Sequence, residues 1–409
     1  MCSPDRNGRW KSQPLRQSIA KRNHVAYHAV IMSVKRILEE LAARRTMRMR
    51  ACARLLNSDS CVPQDKLRLL ERRGVVKRWR HGALVLNPEF GVVVGVDLGA
   101  SHFRLALADF CGEILTEDTQ KIRPEWPPRK LIAFMVERIR SLLSSKQLGS
   151  LLSIAVGVPS AVDAETGTVV YANNLGWRNV PLGQQLRHAL HVPTMLEKDT
   201  NMAALGEHWR GAARGVDDFV FVALGTGIGS GIFINGELYR GAAGWAGEIY
   251  LMNLDWERWN EDFGDTGHFE RYASGRGIAE AGRKALGVAP KKSNDLAEQR
   301  DAYFVFRAFR KRDPRAREVL QKVFTMAAVG IANIVTVVDP ELIVLGGGVV
   351  QGAPRLMKRI IQNVLAHFRP NPPAVVFSSL GESAQTYGAV FSALSVARRQ
   401  IAAGLAPAE

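Results

Sequence analysis

The sequence has little cysteine, and its cysteines are not arranged for cross-linking or for binding metal. There are four in 409 residues, without CxxC spacing or a paired framework, namely Cys2, Cys52, Cys61 and Cys111. This pattern does not predict a disulfide framework, and a reducing cytosol is the simplest compartment for the protein. No signal-peptide pattern is visible, so we expect the protein to be cytoplasmic.

Long apolar runs are also lacking. The most apolar stretch, Val323 to Val338, is shorter than the roughly 20 residues that a membrane span needs. It also contains Thr325, Asn333 and Thr336. We therefore predict a buried core helix at this position and no membrane partner. Because 46% of the residues are apolar, the chain can build a large core, and its length predicts two or three domains.

Acidic residues are scarce in the first 90 residues. That segment has 20 Lys and Arg against 7 Asp and Glu, a net charge of +13, whereas the other 319 residues share the remaining +3. Such a segment can be a solvated or targeting extension, or a surface for nucleic acid. Duplex DNA is the favoured partner, because the charge lies within a patterned segment and not in a low-complexity run.

The basic segment consists of an unpatterned start and a patterned domain. Residues 1–17 show little apolar periodicity, and we expect them to be disordered. Residues 18–90 follow the pattern of a small helical domain that ends in a wing. Within it we predict a scaffolding helix over 18–43, a short helix over 47–56 and a second short helix that begins near Pro63.

The second short helix and the segment after it form the predicted DNA-contacting surface. The helix turns Leu67 and Leu70 inward and ends at Gly74. Residues 75–80 and 83–86 can then pair as a two-stranded wing. The candidates for DNA contact are Gln64, Lys66 and Arg68 on the helix and Lys77, Arg78 and Arg80 on the wing.

Beyond a linker at residues 87–90, three strands end in glycine-rich turns. Glycine lets the backbone come close to a ligand and aim successive N–H groups at one anion, such as a phosphate. A tight hairpin between buried strands would give such a turn equally well, but three in one domain can converge on one nucleotide. The turns are Asp97 to Ser101 after the strand 92–96, Gly225 to Gly229 after the strand 219–224, and Gly346 to Gly348 after the strand 342–345.

From Gly91 to about Arg399 the chain resembles the ROK family (repressors, open reading frames, kinases), a branch of the sugar-kinase/actin-like ATPase fold. The motifs that carry the resemblance are, in the family's order, DLGAS, VGVPSAVD, NNLGWRNVPL, EKDTNMAALGE, GTGIGSG, AGEIYLM and DPELIVLGGGV. The resemblance implies an α/β fold of two lobes: residues 91–200 with a C-terminal helix over 385–403, and residues 201–384. Residues 18–90 resemble the winged helix-turn-helix domain that ROK repressors carry ahead of these lobes.

The resemblance also implies roles for individual residues. Asp199 matches the family's catalytic base. The positions that match sugar-binding residues are Asn174, Asp199, Glu248 and Glu270, whose oxygens and amide suit hydroxyls that both donate and accept. The positions that match nucleotide-binding residues are Asp97, Gly99, Ser101, Gly225, Thr226, Gly227, Gly229, Gly346, Gly347 and Gly348.

The sequence departs from the family at the zinc site. The family combines a histidine after the AGE motif with three cysteines of a CxCGxxGC segment, and here those positions hold Leu251, Glu261, Phe263 and His268. One histidine and one carboxylate cannot build a sulfur-rich tetrahedral site, so we expect no structural zinc. The tryptophans of this loop either pack it or offer an apolar face to a ligand; they are Trp245, Trp256 and Trp259.

A second departure is Lys198, where the family usually has asparagine beside the catalytic aspartate. We expect its ammonium to lower the pKa of Asp199 and make this residue a poorer proton acceptor. A solvent-facing Lys198 without such an effect is the alternative.

Two functions follow from these features. The first is a sugar-responsive DNA-binding regulator, a repressor of carbohydrate metabolism, whose kinase-like body senses a sugar or sugar phosphate. The second is an ATP-dependent sugar kinase of the glucokinase type with a basic extension. The resemblance implies that the family's histidine and asparagine also contact the sugar, and here Leu251 and Lys198 replace them. The basic domain and these lost sugar contacts favour the regulator, which needs no cofactor; Mg-ATP would be used only if kinase activity is retained. We expect a homodimer or homotetramer that reads paired half-sites.

Overall fold

The computed structural model describes residues 34–48, 51–52, 64–123, 125–144, 150–159, 161–172, 175–264, 266–289 and 302–405. Asn174, the predicted disordered start at 1–17 and the first part of the predicted scaffolding helix lie outside these residues.

The N-terminal unit consists of helices packed on a small antiparallel sheet. Its elements are α1 over residues 34–44, β1 Met47–Arg48, α2 Gln64–Arg72, β2 Val76–Arg78 and β3 Ala83–Leu86, with the sheet in the order β1-β3-β2. As predicted, Leu67 and Leu70 of α2 are buried, and β2 and β3 pair around the turn at His81.

The short helix predicted over 47–56 is wrong at its start, because residues 47 and 48 form strand β1. Arg45 has a left-handed φ of 61°, which ends α1 and leads into an extended segment. Met47 then pairs with Leu84 of β3 and is buried. Tertiary pairing therefore overrides the local helical pattern, which resumes at residues 51 and 52.

The first lobe is built on a five-stranded sheet in the order β11-β7-β4-β5-β6. Its strands are β4 Val92–Leu98, β5 His102–Asp109, β6 Ile114–Lys121, β7 Leu151–Val158 and β11 Thr194–Lys198. A small antiparallel sheet holds β8 Ala161–Asp163, β9 Thr168–Ala172 and β10 Trp177–Val180. Helices α3 Pro128–Ser144 and α4 Leu182–Leu190 share a core with one face of the large sheet.

The second lobe is built on a sheet in the order β14-β13-β12-β15-β16. Its strands are β12 Phe219–Leu224, β13 Ile228–Ile234, β14 Glu237–Tyr239, β15 Leu342–Gly346 and β16 Ala374–Phe377. Its helices are α6 His268–Ala273, α7 Gly275–Leu286, α8 Tyr303–Arg310, α9 Pro314–Val338, α10 Gly348–Gly352 and α11 Pro354–Phe368. Helix α5 Asp199–Arg210 connects β11 to this lobe.

Helix α9 contains the apolar stretch, and it is long and apolar enough to cross a membrane by length and composition alone. In the structure it packs against α7 and α11. Ala327, Ala328 and Ile331 of this helix are fully buried. The prediction of a buried core helix is therefore confirmed.

The last helix, α12 Ala384–Ala403, returns to the first lobe as predicted and packs against β4 and α5. Two glycines allow this approach. A Cβ on Gly388 would lie 1.7 Å from the Met202 carbonyl oxygen, and a Cβ on Gly206 would lie 2.1 Å from the Ala384 carbonyl oxygen. Helices α5 and α12 therefore touch backbone to backbone, which fixes the position of Asp199 at the start of α5.

Candidate functional site

Two acidic residues stand at the same edge of the first sheet. Asp97 lies near the end of β4, and Asp199 directly follows β11. Strands β4, β7 and β11 are parallel, and Asp97 and Lys198 pair with the neighbouring residues Gly157 and Val158 of β7. Their carboxyl ends therefore meet at one edge, where α/β folds usually place a ligand.

Burial raises the pKa of Asp199 to about 7. The negative charges of Asp97 and Glu248 add to the rise, while Lys198 and the Thr200 backbone N–H, which donates to Asp199 Oδ1 at 2.6 Å, oppose it. The expectation that Lys198 would leave Asp199 with a lowered pKa is therefore wrong. The lysine acts in the expected direction, but removal of the carboxylate from water has the larger effect.

Lys198 itself is buried, with 4% of its side chain exposed, so the solvent-facing alternative is also wrong. Its Nζ donates to the Ala246 carbonyl oxygen at 2.7 Å and to Glu248 Oε1 at 2.9 Å. Lys198 therefore joins the end of β11 to Glu248, the predicted sugar-binding glutamate. We call the site around Asp97, Asp199, Lys198 and Glu248 the cleft. A buried ammonium is stable here because it has both an ionic partner and a carbonyl acceptor.

The residue before it, Glu197, is also buried and has three donors. Its Oε2 accepts from Arg240 Nε at 2.7 Å, and its Oε1 accepts from Asn201 Nδ2 at 2.8 Å and from the Lys198 N–H at 3.0 Å. Arg240 was not among the predicted site residues. The only sequence signal was the run of three charged residues at the end of β11, since buried charges need partners.

Glu270 lies on α6 and contacts the glycine turn between β12 and β13. Its Oε2 accepts from the Ile228 N–H at 3.0 Å, and a Cβ on Gly227 would lie 2.5 Å from that oxygen. Gly229 is close to Thr200, whose Cγ2 would be 2.7 Å from an added Cβ. The turn is therefore packed between Glu270 and the residue that follows Asp199.

The remaining glycine stretch lies beside this turn. Strands β12 and β15 are parallel, with Ala223 opposite Gly346. Gly347 has a φ of +95°, and a Cβ there would lie 2.4 Å from the Leu224 carbonyl oxygen. At Gly225 and Gly348, by contrast, an added Cβ would meet nothing within 4 Å. Open backbone at two adjacent turns fits the phosphates of a nucleotide.

Asp97 is held from the other side by the start of α12. With its amide nitrogen turned towards Asp97, Gln385 donates to the two carboxylate oxygens at 3.2 and 2.7 Å. Burial raises the pKa of Asp97 to about 6, against the opposing charges of Arg104 and His102. In the turn that follows, the Gly99 N–H donates to the His102 carbonyl oxygen at 2.9 Å, and Ser101 Oγ lies 3.1 Å from His102 Nδ1.

Comparison with known proteins identifies the family. A sequence model of the ROK family matches residues 93–395. The chain belongs to the ROK family.

Relatives of both kinds occur in this family. A xylose repressor of Caldicellulosiruptor bescii is 30% identical over 268 residues, which are 64% of this chain and 67% of the relative. A glucokinase of Halalkalibacterium halodurans is 32% identical over 286 residues, 68% of this chain and 86% of the relative. The family membership therefore leaves open which of the two activities this chain has.

Solved structures have the same fold. A ROK glucokinase from Streptomyces griseus, in complex with glucose and AMPPNP, has a TM-score of 0.61 and 26% identity, and the match covers 74% of this chain and 99% of that one. A ROK transcriptional regulator described as a homologue of the E. coli MLC protein has a TM-score of 0.70 and 22% identity, covering 82% and 89%. The two-lobed α/β fold of the ROK family is thereby confirmed.

The positions of the ROK zinc ligands have a different structure in this chain. His268 is buried with Phe263 and Tyr272, whose ring centres are 5.1 and 4.9 Å away, and its Nδ1 accepts from the Leu254 N–H. Burial lowers the pKa of His268, so the ring is neutral near pH 7. Within the described part of the chain, no three His, Cys, Asp or Glu side chains come together as metal ligands. These residues do not fit a structural zinc.

The tryptophans of the same loop are exposed. Trp256 and Trp259 have exposed fractions of 81% and 76%, and Trp245 and Leu251 are about half exposed. Of the two alternatives for this loop, the structure thus favours an apolar face over internal packing.

The predicted DNA-contacting cations are placed unequally. Arg68 and Arg80 are exposed. Lys77 and Arg78 form ion pairs at the surface, with Glu89 at 2.7 Å and with Glu71 at 2.6 Å. Lys66 instead donates to the Leu405 carbonyl oxygen beyond α12. Of Gln64, the structure describes only its position as the first residue of α2.

Proposed function

We propose that the protein is a sugar-responsive, DNA-binding transcriptional repressor of carbohydrate metabolism. Residues 18–90 form its winged helix-turn-helix domain, and the two-lobed body, residues 91–403, binds the sugar. The observation that carries the proposal is the N-terminal unit, which combines helix α2, the β2–β3 hairpin and most of the chain's net positive charge. The xylose repressor relatives support it.

The cations of the unit suit a polyanion. The ion pairs of Lys77 and Arg78 lie at the surface, where such pairs contribute little to stability. Phosphates of a duplex can therefore replace Glu89 and Glu71 at small cost, with release of counterions from the DNA. Arg68 on α2 remains exposed for contact with base edges.

Helix α12 supports communication between the two sites. At its start Gln385 donates to Asp97 in the cleft. Beyond its end, the carbonyl oxygens of Gly404 and Leu405 accept from Arg73 and Lys66, which belong to α2 and the residue after it. A sugar that prefers one arrangement of the cleft can act on α2 through this helix, by as much as its affinities for the two arrangements differ.

The site residues have defined parts in this proposal. Asp199, Glu248 and Glu270, together with Asn174, bind sugar hydroxyls. We assign the glycine turns and Asp97 to the nucleotide side of the site. We further propose a homodimer or homotetramer in the cytoplasm, because a single winged helix reads one half-site only.

The test compares full-length wild type with the variant in which Lys77, Arg78 and Arg80 are changed to Ala. Fluorescence anisotropy would measure affinity for duplex DNA from the gene's own promoter region at about 0.1 M salt, with and without sugars. We expect the affinity of the variant for duplex DNA to be lower by about tenfold or more, whatever the DNA sequence, because a wing of this kind contacts phosphates.

A matched control removes three exposed cations of the body, Lys311, Arg355 and Arg359. We expect this control to bind DNA as the wild type does. Equal DNA affinity of the wing variant and the wild type would contradict the proposal.

An ATP-dependent sugar kinase is the second candidate function. One observation favours it: the pKa of Asp199 is raised to about 7, which is suitable for a general base near neutral pH. Mg-ATP would supply the phosphoryl group, and Asp199 would accept the proton of the attacking sugar hydroxyl.

A coupled ATP assay with a panel of hexoses tests this candidate. A kcat of about 1 to 100 per second for any hexose would establish the kinase. The Asp199→Asn variant should then lose about 10² to 10⁴ in rate.

A further inference from the structure

The loop over residues 240–248 is tied at both ends to two consecutive residues of β11. At its start, Arg240 donates to Glu197 Oε2 at 2.7 Å. At its end, Lys198 donates to the Ala246 carbonyl oxygen and to Glu248 Oε1, at 2.7 and 2.9 Å. The loop is also closed on itself by a bond from the Ala246 N–H to the Arg240 carbonyl oxygen at 3.1 Å.

The two ties differ in what they hold. The Glu197–Arg240 pair fixes the backbone of the loop but involves no predicted sugar-binding residue. The Lys198–Glu248 pair holds a predicted sugar-binding carboxylate directly, with 4% of the lysine side chain and 19% of the glutamate side chain exposed. Within the residues that the structure describes, Glu248 Oε2 has no hydrogen-bond partner. Because Oε1 is held by the ammonium, Oε2 is the oxygen that remains for a ligand.

The charge of the cleft limits which ligand that can be. Besides Glu248, the cleft carries the carboxyls of Asp97, Asp199 and Glu270. Lys198 pairs with Glu248, and Arg104 and His102 oppose the charge of Asp97, so the carboxyls outnumber the cations. A phosphorylated sugar would bring further negative charge beside these groups, which is unfavourable in a partly buried site. A neutral sugar avoids this repulsion and supplies hydroxyl donors to the carboxylates.

We propose that Lys198 is a specificity-determining positioning residue: it fixes Glu248 so that Oε2 accepts from one hydroxyl of a neutral, non-phosphorylated sugar. The inference rests on the proposed sugar-binding function of the body. The ammonium acts through Glu248, so its removal frees the carboxylate to rotate and weakens discrimination between sugars that have and lack that hydroxyl.

The test uses the full-length protein and isothermal titration calorimetry at pH 7.5. The probes are D-glucose, D-xylose, the monodeoxy analogues of D-glucose and glucose 6-phosphate. The variants are Lys198→Met, which removes the ammonium, and Lys198→Arg, which retains a cation. Arg240→Met is the matched control, because it loosens the other end of the same loop and leaves Glu248 paired. Thermal melts would confirm that each variant folds.

We expect wild type to bind a neutral sugar at least about tenfold more tightly than glucose 6-phosphate. Lys198→Met should lower the affinity for neutral sugar by about tenfold to a hundredfold. For one deoxy analogue, it should also abolish the loss of affinity relative to the parent sugar. Lys198→Arg should recover most of that selectivity. Arg240→Met should change the affinities for all sugars by the same factor, so the ratio of the affinity for a sugar to that for its deoxy analogues should stay unchanged.

Two results would overturn this inference without contradicting the proposed sugar-binding function. One is a Lys198→Met variant that binds and discriminates as the wild type does, and the other is an Arg240→Met variant that loses the same selectivity. If Lys198→Met fails to fold, either of two other results would likewise overturn the inference: loss of the selectivity in Lys198→Arg, or binding of glucose 6-phosphate by wild type as tightly as neutral sugar. A wild type that binds none of the probes would overturn the proposed sugar-binding function as well.

Discussion

The N-terminal unit and the cleft both carry concentrated charge, but the unit exposes its cations whereas the cleft buries its carboxyls. Lys77, Arg78 and Arg80 are exposed, and their charges are screened by salt. Asp97 is enclosed, Asp199 is removed from water to the point where its pKa is raised to about 7, and Lys198 is buried with Glu248. Exposed charge suits a long polyanion, while buried and paired charge suits recognition of a small ligand.

Salt should separate the two regions most strongly. If about six phosphates are contacted, raising salt from 50 to 200 mM should lower DNA affinity by about 10³-fold, because each neutralised phosphate releases a counterion. Sugar affinity should change by less than about twofold, since the cleft groups are buried. Anisotropy for DNA and calorimetry for sugar would measure both in one buffer series. Parallel salt slopes for the two ligands would contradict the distinction.

The buried carboxyls should make stability depend on pH. Asp199 and Asp97 have folded-state pKa values of about 7 and about 6, above their ordinary value of 3.8. Between about pH 4 and 7 these two carboxyls therefore hold more protons in the folded state than in the unfolded state. Their contribution to stability is greatest in acid and falls as pH rises through this window.

Asp199→Asn removes the larger of these contributions. Denaturant melts would measure the free energy of unfolding at pH 5.5 and at pH 8.5. From the lower to the higher pH, this free energy should fall by about 1 to 3 kcal/mol more in the wild type than in the variant. The variant Lys77→Ala, at an exposed cation of the wing, is the control and should follow the wild type. Equal pH dependence of wild type and Asp199→Asn would show that Asp199 titrates normally.

Within the N-terminal unit, Arg68→Ala should distinguish base reading from backbone contact. We expect the free energy of binding to the preferred DNA sequence to weaken by about 1 to 3 kcal/mol, and that of binding to random duplex to weaken much less. Competition anisotropy with the two duplexes would measure the difference. A uniform loss on both would place Arg68 with the phosphate-contacting cations.

Metal should have the smallest effect. His268 lies among aromatic rings where ROK proteins have cysteine, so elemental analysis after dialysis should find far less than one zinc per chain. Chelator should leave the melting temperature unchanged. About one tightly bound zinc per chain would contradict the prediction.

The strands before the glycine turns, the apolar core helix and the C-terminal helix could be predicted from apolar periodicity and from the motifs. Strand β12 begins at its predicted residue, and helix α12 begins one residue before its predicted start. Helix α9 contains the predicted apolar stretch. The strand at Met47 could not be predicted, because it depends on pairing with Leu84 far along the chain.

The predicted acids are at the cleft, but their partners were missed. Arg240 and Gln385 are remote in sequence from Glu197 and Asp97, and no local pattern marks them. The direction of the Asp199 pKa shift was predicted wrongly, because the sequence shows the neighbouring lysine but not how deeply Asp199 is buried. Pairing and burial are properties of the folded surroundings, so one sequence carries little information on them.

Helix α12 has a mechanical consequence. Its 20 residues span about 30 Å, with the cleft at one end and α2 at the other. A tilt of about 5° around Gln385 would move its far end by roughly 3 Å over that length. Side chains that read bases must be placed to within about 0.5 Å. A small shift at the cleft can therefore become, over this length, a displacement large enough to misalign α2, the helix that we propose reads DNA.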